Sequence, residues 1–108
     1  MIQVQFIDDK ALSDFQKLGQ GRSEDVFTMN LILRAKEKLL LNPFSGVIFK
    51  KERIPRDYLI KYNIENLWKF NLSDNWRMIY SIVRDEETVI ILIIEWFDHK
   101  DYERRFGY

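Results

Sequence analysis

From Asn66 onward the chain alternates between apolar runs of strand length and two short polar stretches, Ser73-Asp74-Asn75 and Arg84-Asp85-Glu86-Glu87. In the first run Trp68, Phe70 and Leu72 alternate with Lys69 and Asn71, the period of a half-buried strand. The second run puts Trp76, Met78, Tyr80 and Ile82 on one face and Arg77, Ile79, Ser81 and Val83 on the other. The third, Thr88 to Trp96, is almost unbroken Val, Ile and Leu, which predicts a central strand covered on both faces. Turn residues between runs of this length predict a three-stranded antiparallel meander.

Upstream, Ile2 to Ile7 alternates Ile, Val and Phe with Gln and reads as an outer strand. Asp8 or Asp9 can cap a first helix whose Ala11, Phe15 and Leu18 share a face, and Gly19 and Gly21 stop it. Ser23 is the expected N-cap of a longer second helix, with Glu24 and Asp25 suited to its dipole. Val26, Met29, Ile32, Leu33, Leu39 and Leu40 form its expected core stripe, and Asn42-Pro43 closes it. The two helices are expected to pair as a hairpin over one face of the sheet. Gly46 to Lys51 fits either a short strand or an extended loop. Pro55 starts a short helix through Tyr62, and Asn63 caps it. The fold class is α+β: an N-terminal strand, a helical hairpin and the meander, all in one mostly antiparallel sheet, as a single domain over residues 1–108.

Composition narrows the function. Without cysteine there is neither a disulfide framework nor a thiolate metal site, and a single histidine does not build a metal centre. No cofactor or metal is expected. The N-terminal stretch is too short and polar for a signal peptide, and the third apolar run is about half the length of a membrane helix. The expectation is a soluble cytoplasmic protein. Formal net charge is zero, but its distribution is uneven. Gly46 to Arg77 carries seven Lys/Arg against four acids, and Met78 to Asp98 carries one against five. A basic segment therefore flanks Arg77 while the distal hairpin is acidic. Overall neutrality argues against strong unaided RNA binding, because counterion release scales with the phosphates contacted.

Arg77 stands inside a strand where an apolar residue is usual, and His99 and Tyr102 follow the end of the neighbouring strand. The series Leu67-Trp68, Leu72-Ser73-Asp74, Trp76-Arg77-Met78-Ile79-Tyr80, an Ile-rich strand and His99-Lys100-Asp101-Tyr102 resembles the RelE/ParE superfamily of toxin–antitoxin toxins. The resemblance follows the order of elements along most of the chain and is residue-specific from Leu67 to Tyr102. It implies metal-independent cleavage of mRNA on the ribosome, by attack of a 2′-hydroxyl on the adjacent phosphate. On that resemblance Arg77 meets the charge of the transition state through its planar fork. His99, placed as in relatives of the YoeB type, serves as general acid or base. Tyr102 stacks on a base or assists proton transfer. Lys50, Lys51, Lys69 and Lys100 are the candidate RNA contacts. The implied partners are a cognate antitoxin, the ribosome and mRNA, in a homodimer or a toxin–antitoxin hetero-oligomer.

Structural readings stand beside these. Arg77 also suits a rim cation, His99 a turn residue, Tyr102 a packing partner of Phe106, and Lys50-Lys51 a solvated pair. Trp68, Trp76 and Trp96 suit the core or its rim. Glu95 shares strand parity with Phe97 and His99, so it suits a residue orienting the histidine, a base, or a buried-edge carboxylate paired with a neighbouring cation. The same superfamily also holds DNA gyrase inhibitors that cleave nothing, and a degenerate member would retain antitoxin binding alone. Fold analogy does not separate these activities.

Overall fold

The computed structural model describes residues 1–107. Five strands form one sheet in the order β1-β5-β4-β3-β2: β1 (Ile2–Phe6), β2 (Val47–Ile48), β3 (Trp68–Asn71), β4 (Trp76–Asp85) and β5 (Thr88–Asp98). Helices α1 (Asp9–Leu18) and α2 (Ser23–Leu41) follow β1, α3 (Arg56–Tyr62) precedes β3, and α4 (His99–Phe106) follows β5 directly. Pairing is antiparallel except between β1 and β5, where the strands are parallel. The sheet is therefore mixed, and the helical hairpin carries the chain from β1 at one edge to β2 at the other. The segment open to two readings, Gly46 to Lys51, is a strand of two residues followed by a 3-10 turn, Lys51–Arg53. No helix among the described residues is long and apolar enough to cross a membrane.

Two cores sandwich the sheet. On one face Ile32, Ala35 and Leu39 of α2 cover Met78, Tyr80, Ile82, Ile91 and Ile93. On the other, Tyr58 of α3 and Tyr102 and Phe106 of α4 join Phe49, Ile54, Ile64 and Leu67 over Ile79 and Ile94. The β4–β5 register shifts between Ile79 and Tyr80, which face Glu95 and Ile93 respectively. Ile94 is thus the extra residue of a β-bulge. The bulge reverses side-chain parity: Ile91 and Ile93 lie on the hairpin face, and Glu95 and Phe97 follow onto the face of α3 and α4.

Caps match local chemistry with one correction, and the core stripe of α2 needs another. Asp8 accepts the Ala11 N–H at 2.8 Å at the start of α1, and Asn63, at φ 51°, closes α3 in the left-handed region. The cap of α2 is Arg22 rather than Ser23; the Asp25 carboxylate accepts the Arg22 N–H at 3.2 Å. The core stripe of α2 is Thr28, Leu31, Ile32, Ala35 and Leu39, while Leu33 and Leu40 are exposed. At 100° per residue those two leucines lie roughly a third of a turn off the stripe, beyond the reach of the sheet.

Gly46 lets β2 reach the sheet. A Cβ there would stand 2.3 Å from the Tyr80 hydroxyl oxygen and 2.6 Å from the backbone oxygen of Lys69. Gly46→Ala is expected to destabilise the fold by about 1–3 kcal/mol, the usual cost of overpacking. Urea denaturation measures it, and an unchanged midpoint would show that β2 can shift without loss.

Candidate functional site

Strand register sets the site. Lys69 lies opposite Ile79, Asn71 opposite Arg77, and Arg77 opposite Phe97. Directly paired residues share a sheet face, so Lys69, Asn71 and Arg77 lie with Phe97 on the face of α3 and α4. At the exit of β5 the Asp98 carboxylate accepts the Asp101 N–H at 2.8 Å and caps α4, which makes His99 the first residue of that helix. The His99 N–H donates to Asn75 O at 2.7 Å, so the helix start is tied to the β3–β4 turn.

That turn is also where Arg77 ends. Its Nη1 donates to the carbonyls of Ser73 at 2.9 Å, Asp74 at 3.2 Å and Trp76 at 3.2 Å. One nitrogen of the fork therefore staples the turn, while Nε and Nη2 meet no acceptor among the described residues. His99 Nε2 lies 2.6 Å from Glu103 Oε1, one turn along α4, with both side chains about half exposed. Glu103 orients the imidazole, a role that strand parity also allowed Glu95. Glu95 instead accepts the hydroxyl of Tyr58 on α3. Burial, reinforced by the Glu95 carboxylate, holds the Tyr58 phenol well above its ordinary pKa, so this hydroxyl stays protonated.

Beside the turn runs a basic cleft of about 290 Å³, lined by Val47, Ile48, Phe49, Lys50, Arg53, Lys69 and Tyr102. Lys69 Nζ stands 5.3 Å from the centroid of the Tyr102 ring, and that ring packs 4.9 Å from Phe106. Tyr102 is only 4% exposed and belongs to the core cluster. It is the floor of the cleft beneath a lysine, and the open ring needed to stack on a base is not presented. Lys50 and Lys69 line the cleft, whereas Lys51 lines a separate hollow with Ile54, Leu59 and Glu65. Lys100 is exposed on α4, outside the cleft lining. Arg53 completes the cleft and is absent from the sequence-derived candidates. Its position after Lys50-Lys51 was legible, but only the turn at Lys51–Arg53 folds it back beside Lys50.

Arg77 and His99 do not line the cleft; they border it. Asn71, the partner of Arg77, is two residues along β3 from Lys69, about 7 Å. His99 is three residues before Tyr102 on α4, about 4.5 Å along the axis. Cleft and turn thus lie side by side at one end of the sheet, with the acids Asp98, Asp101 and Glu103 of α4 next to His99. Comparisons with family models, with curated proteins and with solved structures return no match.

Proposed function

We propose that this protein is a toxin-like endoribonuclease that cuts mRNA held in the ribosome and is neutralised by a cognate antitoxin in the cytoplasm. The observation that carries the reading is the shared surface: a fixed arginine and an oriented histidine beside a cleft lined by Lys50, Arg53 and Lys69. In the reaction the 2′-oxygen attacks the adjacent phosphorus while its proton passes to a base. The P–O5′ bond breaks, the leaving 5′-oxygen takes up a proton, and a cyclic phosphate remains. Arg77 Nε and Nη2 are the donors suited to the charge that builds on the phosphate oxygens. His99, carrying the ring that Glu103 orients, moves a proton. Lys50, Arg53 and Lys69 receive the flanking phosphates. Tyr102 supports Lys69 through its ring, so it is a positioning residue. Lys51 and Lys100 contact the ribosome or the antitoxin.

Zero net charge decides how substrate is reached. A few cations on one face bind naked RNA weakly at physiological salt, and the ribosome supplies the missing orientation. Purified protein is expected to cut mRNA placed in a programmed ribosomal A site and to leave the same RNA nearly intact in free solution. Toeprinting reads both. Equal rates on the two substrates would remove ribosome dependence, and growth arrest with no cleavage in either would direct the test to gyrase supercoiling.

A further inference from the structure

We propose that Arg105 is a positioning residue: held on α3 by Asp57 and the ring of Tyr58, it stops α4 from rolling and so fixes His99 and Glu103 beside the β3–β4 turn. α4 has eight residues and follows β5 without a loop. A helix that short has little stability of its own, so packing decides how it lies. Its buried residues are Tyr102 and Phe106, one turn apart, and both rings join the cluster beneath. A stripe of two rings sets the depth of a helix more firmly than its rotation about its own axis.

Helical geometry shows what fixes the rotation. At 100° per residue His99 and Glu103 lie roughly 60° to one side of the Tyr102–Phe106 stripe, and Arg105 lies roughly 80° to the other. On that far flank Arg105 Nη2 donates to the Asp57 carboxylate, and its guanidinium carbon stands 4.5 Å from the centroid of the Tyr58 ring. α3 is itself fastened to the sheet, since the Tyr58 hydroxyl donates to Glu95 just past the bulge of β5. Tyr58 also stacks on Phe106 at 5.9 Å. The contacts therefore run from β5 through α3 to the flank of α4 away from His99. Any roll of α4 that shifts His99 against the turn must pull Arg105 from Asp57 or drive it into Tyr58.

The neighbouring arginine is the contrast. Arg104 pairs at 3.6 Å with Asp101 of its own helix, so that pair ties α4 to no other element, and its side chain is 73% exposed against 32% for Arg105. An exposed ion pair by itself contributes little. At Arg105 it is joined to stacking on a buried ring, which holds the planar guanidinium in one orientation. The clamp stands on these contacts, and only its effect on cleavage rests on the nuclease reading.

Amide hydrogen exchange followed by NMR tests the clamp without any substrate. The His99 N–H donates to Asn75 O, so its exchange rate reports whether α4 stays against the turn. In Arg105→Ala that rate is expected to rise about tenfold, while the Ile82 N–H, bound by Asn66 in the core sheet, keeps its wild-type rate. Arg105→Lys retains a charge for Asp57 but not the planar stack, so its rate should fall between. Asp57→Ala, an exposed change on α3, should also speed His99 exchange, and combining it with Arg105→Ala should add little, as for groups acting through one contact. Arg104→Ala should behave like wild type. On mRNA in programmed ribosomes Arg105→Ala should lower kcat about tenfold and leave KM unchanged, because a misplaced proton-transfer group slows the chemical step rather than binding.

Circular dichroism confirms that each variant is folded, and if Arg105→Ala does not fold, Asp57→Ala and Arg105→Lys decide by the same rule. Unaltered His99 exchange in the folded variants would overturn the proposal. An equal rise at Ile82, the mark of lost global stability alone, or a rise shared by Arg104→Ala would do the same. Slower cleavage with unaltered exchange would place Arg105 directly on RNA or the ribosome, and faster exchange with unaltered kcat would leave a clamp with no positioning task. Faster His99 exchange in a protein whose wild type cuts no mRNA would uphold the clamp and sink the nuclease alone.

Discussion

On the proposed nuclease reading, Arg77→Ala is expected to lower cleavage of mRNA held in a programmed ribosome by about 10²–10³-fold, the loss typical of removing one aimed donor from a developing oxyanion. The geometry makes this a demanding test, because Arg77 has a structural task as well. Its Nη1 holds the carbonyls of Ser73, Asp74 and Trp76, and Asn75 in the same turn accepts the His99 N–H. Losing those bonds loosens the turn and costs about 1–2 kcal/mol of stability, since three hydrogen bonds to one cation are not additive. A residue with that task alone would lower the melting temperature and leave the rate of the folded fraction intact. Arg77→Lys separates the tasks further: an ammonium can still reach a turn carbonyl but cannot copy the planar fork, so stability should recover more than rate. His99→Ala should cost about 10²-fold, at the low end for a proton-transfer group, with little change in stability because its Glu103 pairing is exposed. If folded Arg77→Ala cleaves at the wild-type rate, the assignment of its free donors to the phosphate fails, and the arginine is a staple only.

Tyr80→Ala is expected to destabilise the protein by about 3–5 kcal/mol, the range for deleting a large buried aromatic. Tyr80 is fully buried and sits in the core under α2. Its ring lies 6.0 Å from that of Trp68, and its hydroxyl donates to Pro43 O at 3.3 Å and accepts the Gly46 N–H at 3.2 Å. Burial pushes its phenol up to about 12, so the hydroxyl remains a donor across any physiological range. The residue therefore joins the helical hairpin, the sheet and the segment leading into β2. For a domain of this size the loss corresponds to a fall of on the order of 15–25 °C in melting temperature. Tyr80→Phe keeps the ring and strands one carbonyl and one N–H, for about 1–2 kcal/mol. The two variants should also differ in function: detaching the Pro43–Gly46 segment lets Lys50 and Arg53 drift from Lys69. Scanning calorimetry gives the first result and RNA cleavage at low temperature the second. Equal melting temperatures for Tyr80→Ala and Tyr80→Phe would show that the ring contributes nothing beyond its hydroxyl.

Periodicity made the meander legible, because alternation in Trp68 to Leu72 and the continuous apolar run from Thr88 record how many faces each strand buries. The short helix from Pro55 to Asn63 was legible from its punctuation, and the structure places its cap residues at Pro55 and Asn63. The stripe of α2 was only half legible. Leu33 and Leu40 satisfy a loose apolar count, and only docking against the sheet selects which third of the helix is covered. Arg53 was missed for a related reason: nothing in Lys50-Lys51-Glu52-Arg53 marks which cations turn toward β3.

The sequence by itself determined the class of the fold, the antiparallel meander, the two-helix hairpin and the gathering of Arg77 and His99 at one end of the sheet. These follow from local spacing and from strand parity, which act within one element or between neighbours. The tertiary structure alone decided the parallel pairing of β1 with β5, the bulge at Ile94 and the reach of β2 through Gly46. It also decided that Tyr102 is a floor rather than an open ring, that Glu103 and not Glu95 meets His99, and that Lys50 joins Lys69 while Lys51 turns away. Each of those depends on contacts between residues far apart in the chain, where packing volume and register select among options that local chemistry leaves equal.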